Sequence, residues 1–222
     1  MSELRRPEPG TDPVYRLEEM GKYLDSMSFI NRYALWHRIK DMNVAEHSFR
    51  VAVLAMCIAD IHRRDYPSTI VDTEWLLRKA LLHDTPEVKE GDIPYSVKHR
   101  DGDTEEFFGN LERRLASAEI LKENEQYRKY VLGSKDGEEG RIITIADMLD
   151  IVLYTQREVM LGNLKMAPLM YKAADYLREM TNNTPYGFVA NFIDSIIHHV
   201  EFIHHETLER YVASLTREDY DV

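Results

Sequence analysis

Leu81-Leu82-His83-Asp84-Thr85-Pro86-Glu87 is the stretch on which the reading of the fold turns. A histidine and an aspartate close an apolar run. They offer one neutral nitrogen and one anionic oxygen where burying either alone is costly, so a partner is expected. A divalent cation would serve both. Upstream, His47 stands in Val44-Ala45-Glu46-His47-Ser48. Downstream, Glu87 follows His83 by four residues, and Asp147 stands in Ile145-Ala146-Asp147-Met148-Leu149-Asp150. The dipeptide alone is weak evidence, but four potential ligands in the order His, His-Asp, Asp are much less a matter of chance.

Working outward, the chain reads as helices almost throughout. Residues 1–13 carry Pro7, Pro9, Gly10 and Pro13 and read as an irregular arm, with one helical domain over 14–222. Helices are expected at 14–29, at 44–64 with Asn43 as N-cap, and at 72–83 with Asp72 as cap. A loop with Pro86, Gly91, Asp92 and Pro94 follows, then a charged helix over 104–130, a surface turn at 133–140, and helices over 141–161, 165–180 and 186–213. No β-alternation, repeat or low-complexity block stands out. The expected class is an all-α, single helical bundle.

Helical periodicity says where the candidate ligands point. His47 lines up with Val51, Leu54, Ile58 and Ile61, an apolar stripe, so its imidazole faces inward. His83 lines up with Leu76 and Ala80. Asp147 and Asp150 share a face with Ile143 and Tyr154, an odd place for two carboxylates unless something cationic meets them. Two imidazoles and two carboxylates suit one first-row divalent ion (Co, Mn, Fe, Ni or Zn) better than calcium. Each residue also has an ordinary reading: a core histidine, a helix cap, or an ion pair of Asp147 with Arg141 or Arg157. Asp150 is assigned a supporting or structural role.

Composition narrows the class of function. The 222 residues are 44% apolar and 30% charged, with a formal net charge of −11. That balance argues against a grip on nucleic-acid polymers, though not against a small anion held beside a cation. Cys57 is alone, so no intrachain disulfide forms, and the context reads as cytoplasmic. It is expected to be a buried structural thiol. No apolar run is long enough for a membrane span. The pairs His198-His199 and His204-His205 lack helical chelating spacing. Met160, Met166 and Met170 read as packing residues.

The detailed pattern resembles a known family. Ile30-Asn31-Arg32-Tyr33, Val44-Ala45-Glu46-His47-Ser48, the run His83-Asp84-Thr85-Pro86-Glu87-Val88-Lys89-Glu90-Gly91-Asp92-Ile93-Pro94, and Val97-Lys98 are similar to the YfbR-like branch of the HD-domain metal-dependent phosphohydrolases. The resemblance is dense over 27–100, thinner to Asp150, and fades in the C-terminal third. It implies a 5′-deoxynucleotidase acting on deoxynucleoside 5′-monophosphates, with His47, His83, Asp84 and Asp147 as metal ligands and Glu87 and Asp92 as the catalytic acidic pair. Substrate contacts are implied at Arg32, Tyr33 and the loop Asp92, Ile93, Pro94 and Tyr95, with His47 and Asp147 at the same pocket. A homo-oligomer, commonly a dimer, is implied too. The chain departs from the pattern at Tyr33, where the bacterial nucleotidases carry tryptophan.

The chemistry accounts for these residue types. A bound divalent ion makes water nucleophilic near neutral pH and draws in a phosphoryl oxygen. Glu87 and Asp92, past the ligand pair, are placed to move protons. Arg32 offers a planar fork to phosphate, and Lys89 and Lys98 are candidates for extra phosphates. Two rival readings stand: a deoxynucleoside triphosphate triphosphohydrolase, and a catalytically silent nucleotide-binding scaffold.

Overall fold

The computed structural model describes residues 13–98, 100–115 and 125–214, and the described residues are helical with no strand. The helices start where the local chemistry says they should. The Asn43 side chain accepts the Glu46 N–H at 2.8 Å, opening α2 (Val44–Asp65). The Asp72 carboxylate does the same for Trp75 at 3.0 Å, opening α3 (Thr73–Leu82), with His83 at its C-terminal cap. Each satisfies an N–H that the first turn would otherwise leave bare. Ahead of them in the chain lies α1 (Pro13–Phe29), and after them come two four-residue helices, α4 (Glu87–Glu90) and α5 (Tyr95–Lys98). There follow α6 (Gly102–Leu115), α7 (Glu125–Leu132), α8 (Gly137–Met160), a 3-10 turn at Leu164–Met166, α9 (Ala167–Thr181) and α10 (Gly187–Ser214).

α8 is the central element. Ile142, Ile143, Ile145, Ala146, Leu149, Val152, Tyr154 and Val159 are all buried, so it is apolar on most sides, as a helix at the middle of a bundle must be. α2 and α3 pack on it from one side and α9 from another, with α10 against α9. Leu76, Ile142, Ile145, Met170, Leu177 and Ile193 are completely buried, each aliphatic side chain contributing about 1.5–3 kcal/mol by leaving water. The carboxylate Asp150 sits in this apolar setting at zero exposure, so its partners must come from neighbouring helices.

Several sequence expectations change. The loop after His83 contains α4 and α5. Gly91, at φ 77°, ends α4 with its N–H on the Glu87 carbonyl at 2.8 Å, a conformation that favours glycine. The charged helix expected over 104–130 appears as α6 and α7, and residues 116–124 lie outside the described residues, as does the arm at 1–12. The turn expected at 133–140 is only Gly133–Asp136; α8 begins at Gly137. Gly140 is buried there, and a Cβ on it would overlap the Lys135 carbonyl. The final helix is kinked at His204. Cys57 is exposed, not buried, because the inward face of α2 rotates through Ala55, Ile58, Ala59 and His62. Leu54 and Ile61, expected on the buried stripe, are half-buried for the same reason.

Candidate metal centre

α2, the end of α3 and the middle of α8 bring four side chains to one place. Nε2 of His47 lies 3.3 Å from Oδ2 of Asp84 and 3.1 Å from Oδ1 of Asp147. Nε2 of His83 lies 3.2 Å from Oδ1 of Asp84. His47, His83 and Asp84 each present a ligand atom within 4.8 Å of the others, and Asp147 joins them through its approach to His47. The ordinary reading of Asp147, an ion pair with Arg141 or Arg157, is not what the structure shows. Arg157 lies over the Tyr154 ring at 5.4 Å, and Arg141 is exposed.

Both imidazoles are oriented the same way. His47 donates from Nδ1 to Oδ2 of Asp150 at 2.8 Å, and Oδ1 of Asp150 accepts from Nε of Arg50 at 2.6 Å. His83 donates from Nδ1 to the Ala80 carbonyl at 2.7 Å. Tying Nδ1–H fixes the tautomer and turns the Nε2 lone pair toward the centre, the usual arrangement behind a metal-ligating histidine. Nε2 of His47, Nε2 of His83 and Oδ1 of Asp147 are all buried without a hydrogen-bond partner among the described residues. Buried polar atoms seldom go unpaired, and these three, with Asp84, form a donor set that fits a first-row divalent ion.

Electrostatics point the same way. Burial and Arg32 oppose a charge on His47, yet the surrounding Asp147, Asp150 and Asp84 carboxylates hold its pKa well above the ordinary value. Burial pushes Asp84 up, but His83, His47 and Arg32 outweigh it and hold the carboxylate well below its usual range. Surroundings negative enough to favour a proton on a buried imidazole also favour a divalent cation.

The remaining candidates surround this centre. Arg32 is buried, with Nη1 2.8 Å from Oδ2 of Asp84 and 3.8 Å from Oε2 of Glu87. Glu87 is buried too, and burial together with Asp84 raises its pKa well above a normal glutamate. Oδ2 of Asp92 accepts the Tyr33 backbone N–H at 2.7 Å, which ties the loop after α4 to the segment between α1 and α2. Ile93 and Pro94 are half-exposed beside Asp92. Tyr95 opens α5, but its side chain lies outside the described residues. The Tyr33 ring stacks on Tyr154 at 4.5 Å and 1°, and its hydroxyl is buried without a partner. Lys98 is committed elsewhere, 3.0 Å from Glu90 and 2.9 Å from Glu112.

Sequence reasoning missed three supports. Arg50, one turn after His47, was detectable by its i,i+3 spacing but has no distinguishing motif. Tyr23 donates its hydroxyl to the Thr85 carbonyl at 2.5 Å, bracing the turn after His83 from α1; nothing in the sequence signals that pairing. Tyr154 was visible on the Asp147 stripe, though not its stacking on Tyr33.

A family model described as 5′-deoxynucleotidase YfbR-like matches residues 20–198. A 5′-deoxynucleotidase of Vibrio cholerae is 27% identical over 178 residues, 78% of this chain and 91% of the relative. One from Pectobacterium atrosepticum is 31% identical over 146 residues, 64% of this chain and 73% of the relative. Among solved structures, an HD-domain phosphohydrolase from Listeria innocua superposes with a TM-score of 0.66 at 22% identity, over 89% of this chain and 98% of that one. The HD phosphohydrolase of cyanophage S-2L, bound to dA and one catalytic zinc ion, superposes with a TM-score of 0.54 at 16% identity, over 85% and 96%. Both share the fold.

Proposed function

The chain belongs to the YfbR-like 5′-deoxynucleotidase family, and from that premise we propose that it is a metal-dependent phosphohydrolase removing phosphate from deoxynucleoside 5′-monophosphates. The observation that carries the reading is the set of unpartnered buried ligand atoms on His47, His83 and Asp147 around Asp84. These four residues would hold one divalent ion of the Co, Mn, Fe, Ni or Zn kind. When bound, such an ion supplies a water acidic enough to act as nucleophile and neutralises charge on the phosphate.

The protein's own groups do the rest. Arg32 presents a buried guanidinium beside Asp84, where its fork can take phosphate oxygens. Glu87, whose raised pKa follows from burial and Asp84, is suited to hold a proton near the reacting centre, and Asp92 on its half-exposed loop to exchange one with solvent or leaving group. Tyr33, pinned face-to-face on Tyr154, offers a fixed ring to the sugar. The Ile93–Tyr95 backbone would complete that wall.

What supports a monophosphate over a triphosphate is Lys98, which Glu90 and Glu112 already engage. No described helix is long and apolar enough to cross a membrane, and the reading places the enzyme in the cytoplasm, where an exposed thiol such as Cys57 stays reduced. It also makes the protein a homo-oligomer, with a dimer favoured; Phe49, Val53 and Met56 form an exposed apolar stripe along α2 suited to a second copy. The test is phosphate release from dAMP, AMP, dATP and ATP with each of the five metals. Rapid dAMP hydrolysis is expected. Turnover of dATP with inert dAMP would overturn the reading in favour of a triphosphohydrolase, and inertness throughout would favour a silent scaffold.

A further inference from the structure

The segment between α1 and α2 carries Arg32 and Tyr33, yet much of it gains little from apolar burial. Leu35 is 80% exposed and Ile39 is 50% exposed. It is held instead by polar groups from α8 and the turn after it. Glu158 is completely buried. Its carboxylate accepts the backbone N–H of Ile39 at 2.7 Å and of Lys40 at 2.8 Å, and the Asn163 side-chain amide at 2.8 Å. Asn163 also donates to the His37 carbonyl at 2.8 Å. One turn earlier on α8, the Tyr154 hydroxyl donates to the Lys40 carbonyl at 2.8 Å while its ring stacks on Tyr33.

The same segment is then folded back on Tyr33. The Tyr33 carbonyl accepts from Trp36 N–H at 2.9 Å and from Nη1 of Arg38 at 2.6 Å. Tyr33 itself sits at φ 58°, a left-handed conformation that is unfavourable for a bulky residue and persists only where the surroundings enforce it. A buried carboxylate with three N–H donors is a strong fixture, because each hydrogen bond is charge-assisted. It is also intolerant: removing it strands three donors. Glu158 lies eleven residues along α8 from Asp147, about 16 Å at ~1.5 Å per residue, which puts it out of reach of the candidate metal centre, and its side chain is closed to solvent.

We propose that Glu158, with Asn163, is a positioning residue that clamps the 37–40 segment to α8 and thereby fixes Arg32 and Tyr33 for substrate binding. This rests on the nucleotidase reading above, so the experiment has one arm that needs no turnover. In a Trp75→Phe background, Trp36 is the sole tryptophan and reports on the segment. Glu158→Ala should raise acrylamide quenching of Trp36 at least about twofold while cobalt content stays at the wild-type level. In the activity arm, KM for dAMP should rise about 10-fold with kcat changed much less, the pattern of lost binding with the chemical step intact. A purely structural role would lower the active fraction, reducing kcat at constant KM. If Glu158→Ala does not fold, Asn163→Ala removes one donor and the His37 tether, and should shift both readouts in the same direction by less. Unchanged quenching, or loss confined to kcat, would overturn the clamp. A wild-type enzyme inert on every nucleotide would refute the nucleotidase reading, leaving the quenching arm to decide whether the clamp exists.

Discussion

Replacing Asp150 by asparagine tests how the metal centre is built. Asp150 is completely buried and spans two donors, Nδ1–H of His47 at 2.8 Å and Nε of Arg50 at 2.6 Å. Asparagine keeps the volume but has one acceptor oxygen in place of two. Its amide NH2 must therefore face either the His47 N–H or the Arg50 guanidinium, donor against donor. If the oxygen turns to Arg50, His47 loses the bond that selects its tautomer, and the proton can move to Nε2, the atom aimed at the centre. Losing an outer partner of a ligating histidine typically weakens metal binding about 10–100-fold, or about 1.4–2.8 kcal/mol at ~1.4 kcal/mol per decade. The assay is competition between the protein and a chelator of known affinity, with cobalt as probe, at constant pH and with circular dichroism confirming the fold. Phosphate release should recover when metal is supplied in excess. Metal affinity within twofold of wild type would refute the idea that Asp150 orients His47.

Three further outcomes follow from the same geometry. Glu87→Gln and Asp92→Asn should keep metal content yet lower kcat on dAMP about 10²-fold or more, the usual scale for removing a proton-transfer group; wild-type turnover in either removes that residue from the mechanism. dAMP should be preferred over AMP about ten-fold, because a 2′-hydroxyl against the pinned Tyr33 ring would lose water without a partner, at about 1–3 kcal/mol. Equal rates on dAMP and AMP would refute the packing of the sugar against Tyr33. Gly140→Ala should lower stability by about 1–3 kcal/mol through overpacking against the Lys135 carbonyl, seen as a Tm drop of several degrees in a thermal melt; an unchanged Tm would show that the turn before α8 yields freely.

The all-α class and the candidate ligands were legible in the sequence alone, because both depend on short-range rules. Asn43 and Asp72 cap helices through groups three residues away, and a 3.6-residue period puts His47 and Asp147 on inward faces wherever their helices end up. Glu87 and Asp92 were legible by their place after His83-Asp84. What the sequence did not contain was pairing across the fold. Asp150 looked ambiguous because its two partners arrive from α2, a hundred residues earlier. Arg32 reads as a free fork until Asp84 is seen beside it, and Lys98 as a spare cation until α4 and α6 present Glu90 and Glu112. Cys57 was misplaced because its neighbours Ala55, Met56, Ile58 and Ala59 are apolar, whereas its place on α2 lies off the His47–Val51–Ile58 face that packs inward. Glu158 and Asn163 carry no motif at all. Their donors lie on backbone N–H groups more than a hundred residues upstream, and a backbone N–H is the same for every residue but proline, so only the tertiary structure reveals which ones a buried carboxylate will meet.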